Sequence, residues 1–69
     1  MREWLKSARI SKNLTQKDMG NVLGVSEAYY CAIENGERQK KMDVMVAAGI
    51  SAATGVSIEQ IVRYETACG

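Results

Sequence analysis

Lys17, Arg38, Lys40 and Lys41 are the side chains of this 69-residue chain best placed for chemistry, and that chemistry is the binding of a polyanion. Arg38, Lys40 and Lys41 form a three-charge cluster that lies just past the sequence Asn35-Gly36. Bond-making chemistry lacks its parts. With no His in the chain, a Ser or Cys nucleophile has no access to its commonest base, and neither a Gly-rich phosphate loop nor a convincing carboxylate pair is present. Cys31 and Cys68 lie too far apart for a C-x-x-C redox motif, and without His no Cys/His zinc set can be assembled. The expectation is a non-enzymatic chain with no metal, no cofactor and no small-molecule ligand evident.

The cations are unevenly spread. Residues 1–41 hold eight Lys/Arg against five Asp/Glu, and residues 42–69 hold one against three, so a net +3 faces a net −2. The first part is therefore the candidate side for nucleic acid, although the total of +1 is far below that of a strongly basic binder. Sixty-nine residues suit one domain, residues 1–69, with an apolar fraction of 46 % that argues against disorder. A domain this short buries only about 60 % of the surface its unfolded chain exposes and gains from a partner, so self-association is expected. Arg2, Glu3, Lys6, Arg9 and Lys12 interrupt the start of the chain and exclude a secretory signal. The longest uncharged stretch, residues 44–58, is too short and too rich in Gly, Ser and Thr to span a membrane. A cytoplasmic protein is expected.

Positioning the cations requires helices. No Pro and no low-complexity linker occurs, and the breakers are short, which predicts an all-α fold. A first helix is read over residues 2–12, with Leu5 and Ala8 inward, Trp4 off that line and Asn13 at a left-handed stop. Thr15-Gln16-Lys17-Asp18 reads as a capping-box variant opening a second helix, whose Met19, Val22 and Leu23 recur at i, i+3, i+4 before Gly24 stops it. Ser26 caps a third helix only two residues later, and Asn35-Gly36 ends it. A fourth helix over residues 43–54 stops at Gly55, and Ser57-Ile58-Glu59-Gln60 reads as a capping box for a fifth, through about residue 64.

Residues 16–35 carry the functional signal. Two helices crossing at about 90–120° through a short turn need a small residue where they touch and a Gly in the turn, which Gly20 and Gly24 supply. Met19, Leu23, Val25, Tyr30 and Ile33 occupy the positions that face the shared core. With these in place, Leu14-Thr15-Gln16, Leu23-Gly24-Val25-Ser26 and Ile33-Glu34-Asn35-Gly36 resemble the helix-turn-helix family of lambdoid phage repressors and Cro proteins, the XRE-type regulators. The resemblance covers nearly the whole chain. It implies a compact bundle of five short helices that binds double-stranded operator DNA as a homodimer, with the third helix in the major groove.

Carried over residue by residue, the resemblance sets Ser26, Glu27, Ala28, Cys31 and Ala32 toward base edges. It sets Gln16, Lys17, Tyr29, Asn35, Arg38, Lys40 and Lys41 toward the DNA backbone, and it pairs Arg9 with Glu34 in an internal ion pair. Two departures stand out. None of the base-facing residues is Arg, Lys, Gln or Asn, which leaves Glu27 to accept from a cytosine amino group, Ala28 and Ala32 to pack on thymine methyls, and DNA shape to supply the rest. Residues 35–55 are also two or three longer than the family spacing, and the uncharged stretch within them suggests a helix that completes its burial across a two-fold dimer contact, with Trp4 or the fifth helix alongside. A transcriptional repressor is the leading reading. The alternative is a protein-interaction module of the same fold, antirepressor or antitoxin-like, with weak or no DNA reading.

Overall fold

The computed structural model describes the backbone of residues 1–68 and the side chains of residues 1–67, so the Cys68 thiol lies outside the described residues. Within them the chain forms five helices and no strand: α1 (Glu3–Ser11), α2 (Gln16–Leu23), α3 (Glu27–Asn35), α4 (Val44–Thr54) and α5 (Ile58–Cys68). The all-α class follows from the punctuation read in the sequence, and only α5 departs from it appreciably. It continues to Cys68 because Glu65, Thr66 and Ala67 contain no breaker and Glu65 is anchored from the other end of the chain. Among the described residues no single helix is long and apolar enough to cross a membrane.

Local signals account for the helix ends. Thr15 Oγ1 accepts from the Asp18 amide at 3.0 Å while the Thr15 amide donates to Asp18 Oδ2 at 2.9 Å, a complete capping box that satisfies two otherwise orphaned donors. The exposed Asp18 carboxyl is held below its ordinary range chiefly by that backbone donor. Asn13 adopts φ 58° at the stop after α1. Ser57 behaves differently from the sequence expectation: its Oγ accepts from the Gln60 amide at 3.1 Å, but the reciprocal bond from the Ser57 amide to the Gln60 side chain is not formed among the described residues.

Every helix contributes to one core: Leu5 from α1, Met19 from α2, Tyr30 and Ile33 from α3, Ala47 and Ile50 from α4, and Ile61 from α5. Val22, expected beside Met19 on the inward stripe, is instead 50 % exposed. Leu23 takes that place against α4, where a Cβ on Gly49 would lie 2.4 Å from Leu23 Cδ2. The Leu23 side chain fits there because Gly49 has no side chain of its own.

Arg2 is buried and joins four parts of the chain. Its Nη1 donates to the carbonyls of Ile33 at 2.6 Å and Arg38 at 3.1 Å, and its Nη2 to the carbonyl of Gln39. Nε and Nη2 grip the Glu65 carboxylate at 3.0 and 2.9 Å, and the Trp4 indole donates to the same carboxylate at 3.1 Å. Trp4 stacks on Tyr64 with ring centroids 5.2 Å apart. The loop 36–43, which carries Arg38, Lys40 and Lys41, is thereby fastened to α5 and to the end of α3.

Candidate nucleic-acid interface

The pair α2 and α3 forms around a tight turn whose geometry has a single steric cause. Gly24 sits at φ 71°, a left-handed conformation open to Gly without strain, and Ser26 Oγ accepts from the Tyr29 amide at 3.1 Å to start α3. Across the turn, a Cβ on Gly20 would meet the Val25 carbonyl oxygen at 2.9 Å and the Ser26 backbone at 3.3 Å. Backbone cannot swing aside as a side chain can. The small residue at this position therefore sets how closely α3 approaches α2.

The inner end of α3 is fixed by a buried polar chain. Arg9 Nε donates to Glu34 Oε2 at 2.9 Å and Arg9 Nη1 to the Leu14 carbonyl at 2.9 Å, so the ion pair implied by the family resemblance is formed. Burial pushes the Glu34 carboxyl upward, but the hydrogen bonds and positive charge around it, led by Arg9, together outweigh that and hold the carboxyl below its ordinary range. The bond to Glu34 raises the Arg9 guanidinium. Tyr30 places its hydroxyl beside this pair, where burial holds the phenol above its ordinary range, and the buried oxygen has no hydrogen-bond partner among the described residues. Gln16 Nε2 donates to Glu34 Oε1 at 3.4 Å and approaches Cys31 Sγ at 3.8 Å, and Asn35 Nδ2 approaches the same sulfur at 3.7 Å.

A family model described as Helix-turn-helix matches residues 5–48, which include most of α1, all of α2 and α3 and the start of α4. The chain belongs to the XRE-type helix-turn-helix family of DNA-binding regulators. It is 35 % identical over 68 residues to an uncharacterized HTH-type transcriptional regulator of Bacillus subtilis, YqaF, covering 99 % of this chain and 84 % of that protein. It is 40 % identical over 65 residues to an uncharacterized HTH-type transcriptional regulator of Methanocaldococcus jannaschii, covering 94 % of this chain and 96 % of that protein. No solved structure is a significant match.

In this family member, Ser26, Glu27 and Ala28 are exposed at the start of α3, and Cys31 and Ala32 are half-buried one turn further on. Gln16, Cys31 and Asn35 come together as a single polar contact line, although Gln16 and Asn35 are 19 positions apart by their numbering. Lys17, Asn35 and Arg38 are exposed. Tyr29 is half-buried, and its hydroxyl accepts from Gln39 Nε2 at 3.1 Å, which ties α3 to the loop 36–43. Lys40 and Lys41 are exposed but stand on the side of the loop that faces α5, lining a cleft with Ile61 and Val62.

Two residues to which the sequence pattern assigns no role hold this arrangement. Arg2 captures the loop's carbonyls, and Gln39, at φ 57°, directs its amide to Tyr29 and its oxygen to the Asp43 amide at 2.9 Å. No spacing rule marks either one. Arg2 bonds to carbonyls that every residue possesses, and Gln39 adopts a left-handed conformation for which its side chain carries no signature.

Proposed function

We propose that this chain is a sequence-specific repressor of transcription that binds a palindromic double-stranded DNA operator as a homodimer, each α3 lying in a major groove. It acts as one non-enzymatic domain in the cytoplasm. The observation that carries the reading is the state of α3: its Glu34 end is locked by Arg9 and the backbone at its start packs on Gly20, while the side chains of Ser26, Glu27 and Ala28 are left exposed. A helix held so firmly from behind and so bare in front suits insertion into a groove.

On this reading Glu27 accepts from a cytosine N4 amino group, and Ala28 and Ala32 contact thymine methyls. Small side chains let α3 sit deep, and DNA shape contributes the remaining discrimination. Lys17, Arg38, Lys40 and Lys41 engage phosphates, with Asn35 and Tyr29 beside them. Gln16 exchanges its weak 3.4 Å bond to Glu34 for a phosphate oxygen. The two-fold contact uses the outer side of α4, where Val44 and Met45 are 77 % and 78 % exposed, whereas Trp4 is already satisfied within the chain by Tyr64 and Glu65.

The test is selection of bound fragments from a random duplex pool at physiological salt, followed by sequencing. A two-fold-symmetric motif with half-sites about 34–36 Å apart supports the reading. Replacing Lys40 and Lys41 with Ala is expected to weaken binding to all sequences alike and to lower the salt slope by about 0.9 for each phosphate that is no longer neutralised. Absence of any enriched motif overturns it and favours a protein-interaction module, which the exposed Val44 and Met45 would then serve.

A further inference from the structure

Between loop 36–43, α4 and α5 lies a cavity of about 500 Å³, within the range of small-molecule sites. Met42, Ala47, Ile61 and Val62 give it an apolar interior, and Lys40 and Lys41 are its exposed cationic members. Among the described residues neither ammonium has a carboxylate within ion-pair distance. The one carboxylate in the wall, Glu65, is already gripped by Arg2 and by the Trp4 indole, so its charge is offset from behind. What remains at the cavity is an apolar pocket under two unpaired positive charges.

We infer that this cavity binds an organic carboxylate with an apolar body, its tail among Met42, Ile61 and Val62 and its head on Lys40 and Lys41. The charge complementarity selects an anion, and the lining selects an amphipathic one over inorganic phosphate. The inference extends the DNA reading, because Lys40 and Lys41 are assigned there to phosphates. A bound carboxylate takes those ammoniums out of reach of DNA, so the ligand acts as an inducer that releases the operator.

Octanoate and its uncharged counterpart 1-octanol are the probes, titrated into the isotope-labelled chain and followed by amide resonances. The expected result is saturable shifts at Met42, Ala47, Ile61 and Val62, with octanoate binding about tenfold more tightly than octanol, as two partly solvated ion pairs would give. Val62→Trp, at a side chain that is 57 % exposed and so tolerant of enlargement, fills the cavity and is expected to abolish the shifts. The double replacement Lys40→Ala, Lys41→Ala is expected to bring octanoate down to the affinity of octanol. Equal affinity of the two probes for the unmodified chain overturns the inference, and so do shifts confined to the groove lined by Val22 and Met45. A separate arm measures DNA affinity: octanoate should weaken it for the unmodified chain and leave Val62→Trp unaffected. Loss of DNA binding by every form, with the amide shifts intact, would overturn the DNA reading alone and leave the carboxylate site standing.

Discussion

Arg9 and Arg2 stand at opposite ends of α1, each meets a carboxylate at 2.9 Å, and each donates to main chain, Arg9 to one carbonyl and Arg2 to three, yet they hold different parts of the molecule. Arg9 ties the segment before α2 to the end of α3 through Glu34 and the Leu14 carbonyl, and every partner lies inside the helix-turn-helix half. Arg2 reaches Ile33, Arg38, Gln39 and Glu65, and so joins that half to the loop and to α5. The Glu34 side chain of α3 is therefore held without α5, whereas the cationic loop and the Ile33 carbonyl share an arginine that α5 grips. The two halves should respond differently to damage.

The largest expected effect comes from removing the arginine with more partners. Breaking a buried pair by deleting one member costs about 3–5 kcal/mol, because the other charge stays buried without compensation. Arg2→Ala leaves three carbonyls without their donor and Glu65 with the Trp4 indole alone, so it should fall at the upper end and take most of the stability of so small a domain. Arg9→Ala leaves one carbonyl and Glu34, and should fall at the lower end. Urea unfolding midpoints followed by circular dichroism check the order. A larger loss for Arg9→Ala would break the comparison and make the α3 base the principal fastening.

Gly20→Ala sharpens it from the side of packing. The added methyl would stand 2.9 Å from the Val25 carbonyl oxygen, and a main-chain atom there can yield only by moving the turn. Overpacking of this kind costs about 1–3 kcal/mol. The displacement should be confined to the turn and α3, leaving the Trp4–Tyr64 stack untouched. Amide shifts that spread to α5 would show that the two halves are coupled more tightly than their hydrogen bonds suggest.

The same contrast explains what was legible in the sequence. Thr15 with Asp18, Gly20, Gly24 and Ser26 act over one to six positions, so their types and spacing announce the turn, and the family resemblance supplies the Arg9–Glu34 pair. Arg2 and Glu65 are 63 positions apart, and three of the hydrogen bonds Arg2 makes are to carbonyls, which carry no residue identity. Val22 escapes the pattern because helical spacing places it on the apolar stripe, whereas the close approach of α4 at Gly49 admits Leu23 there and turns Val22 out. The candidate base-facing residues rest on the family resemblance alone. Their readout depends on DNA atoms that the chain does not contain.

The smallest effect tests whether Glu34 acts through charge. Its carboxyl is held below the ordinary value of 4.5 in the folded chain, despite burial, by hydrogen bonds led by the one from Arg9. The unfolded state then binds protons more readily than the folded state, so stability rises with pH across this window. The contribution is fully present above about pH 4.5 and is lost as the pH falls through the lower folded value. Glu34→Gln removes the titration while keeping the shape, so it should be less stable than the unmodified chain at pH 7, by a margin that narrows as the pH falls below about 4.5. The gap between the two urea midpoints should close by no more than about 1.4 kcal/mol per pH unit, the limit for one proton. Asp18 titrates in both chains and cancels from the difference. A gap that does not narrow at all as the pH is lowered below 4.5 would mean that Glu34 holds Arg9 by shape and hydrogen bonding alone, and the Arg9 end of α1 would then be insensitive to acid.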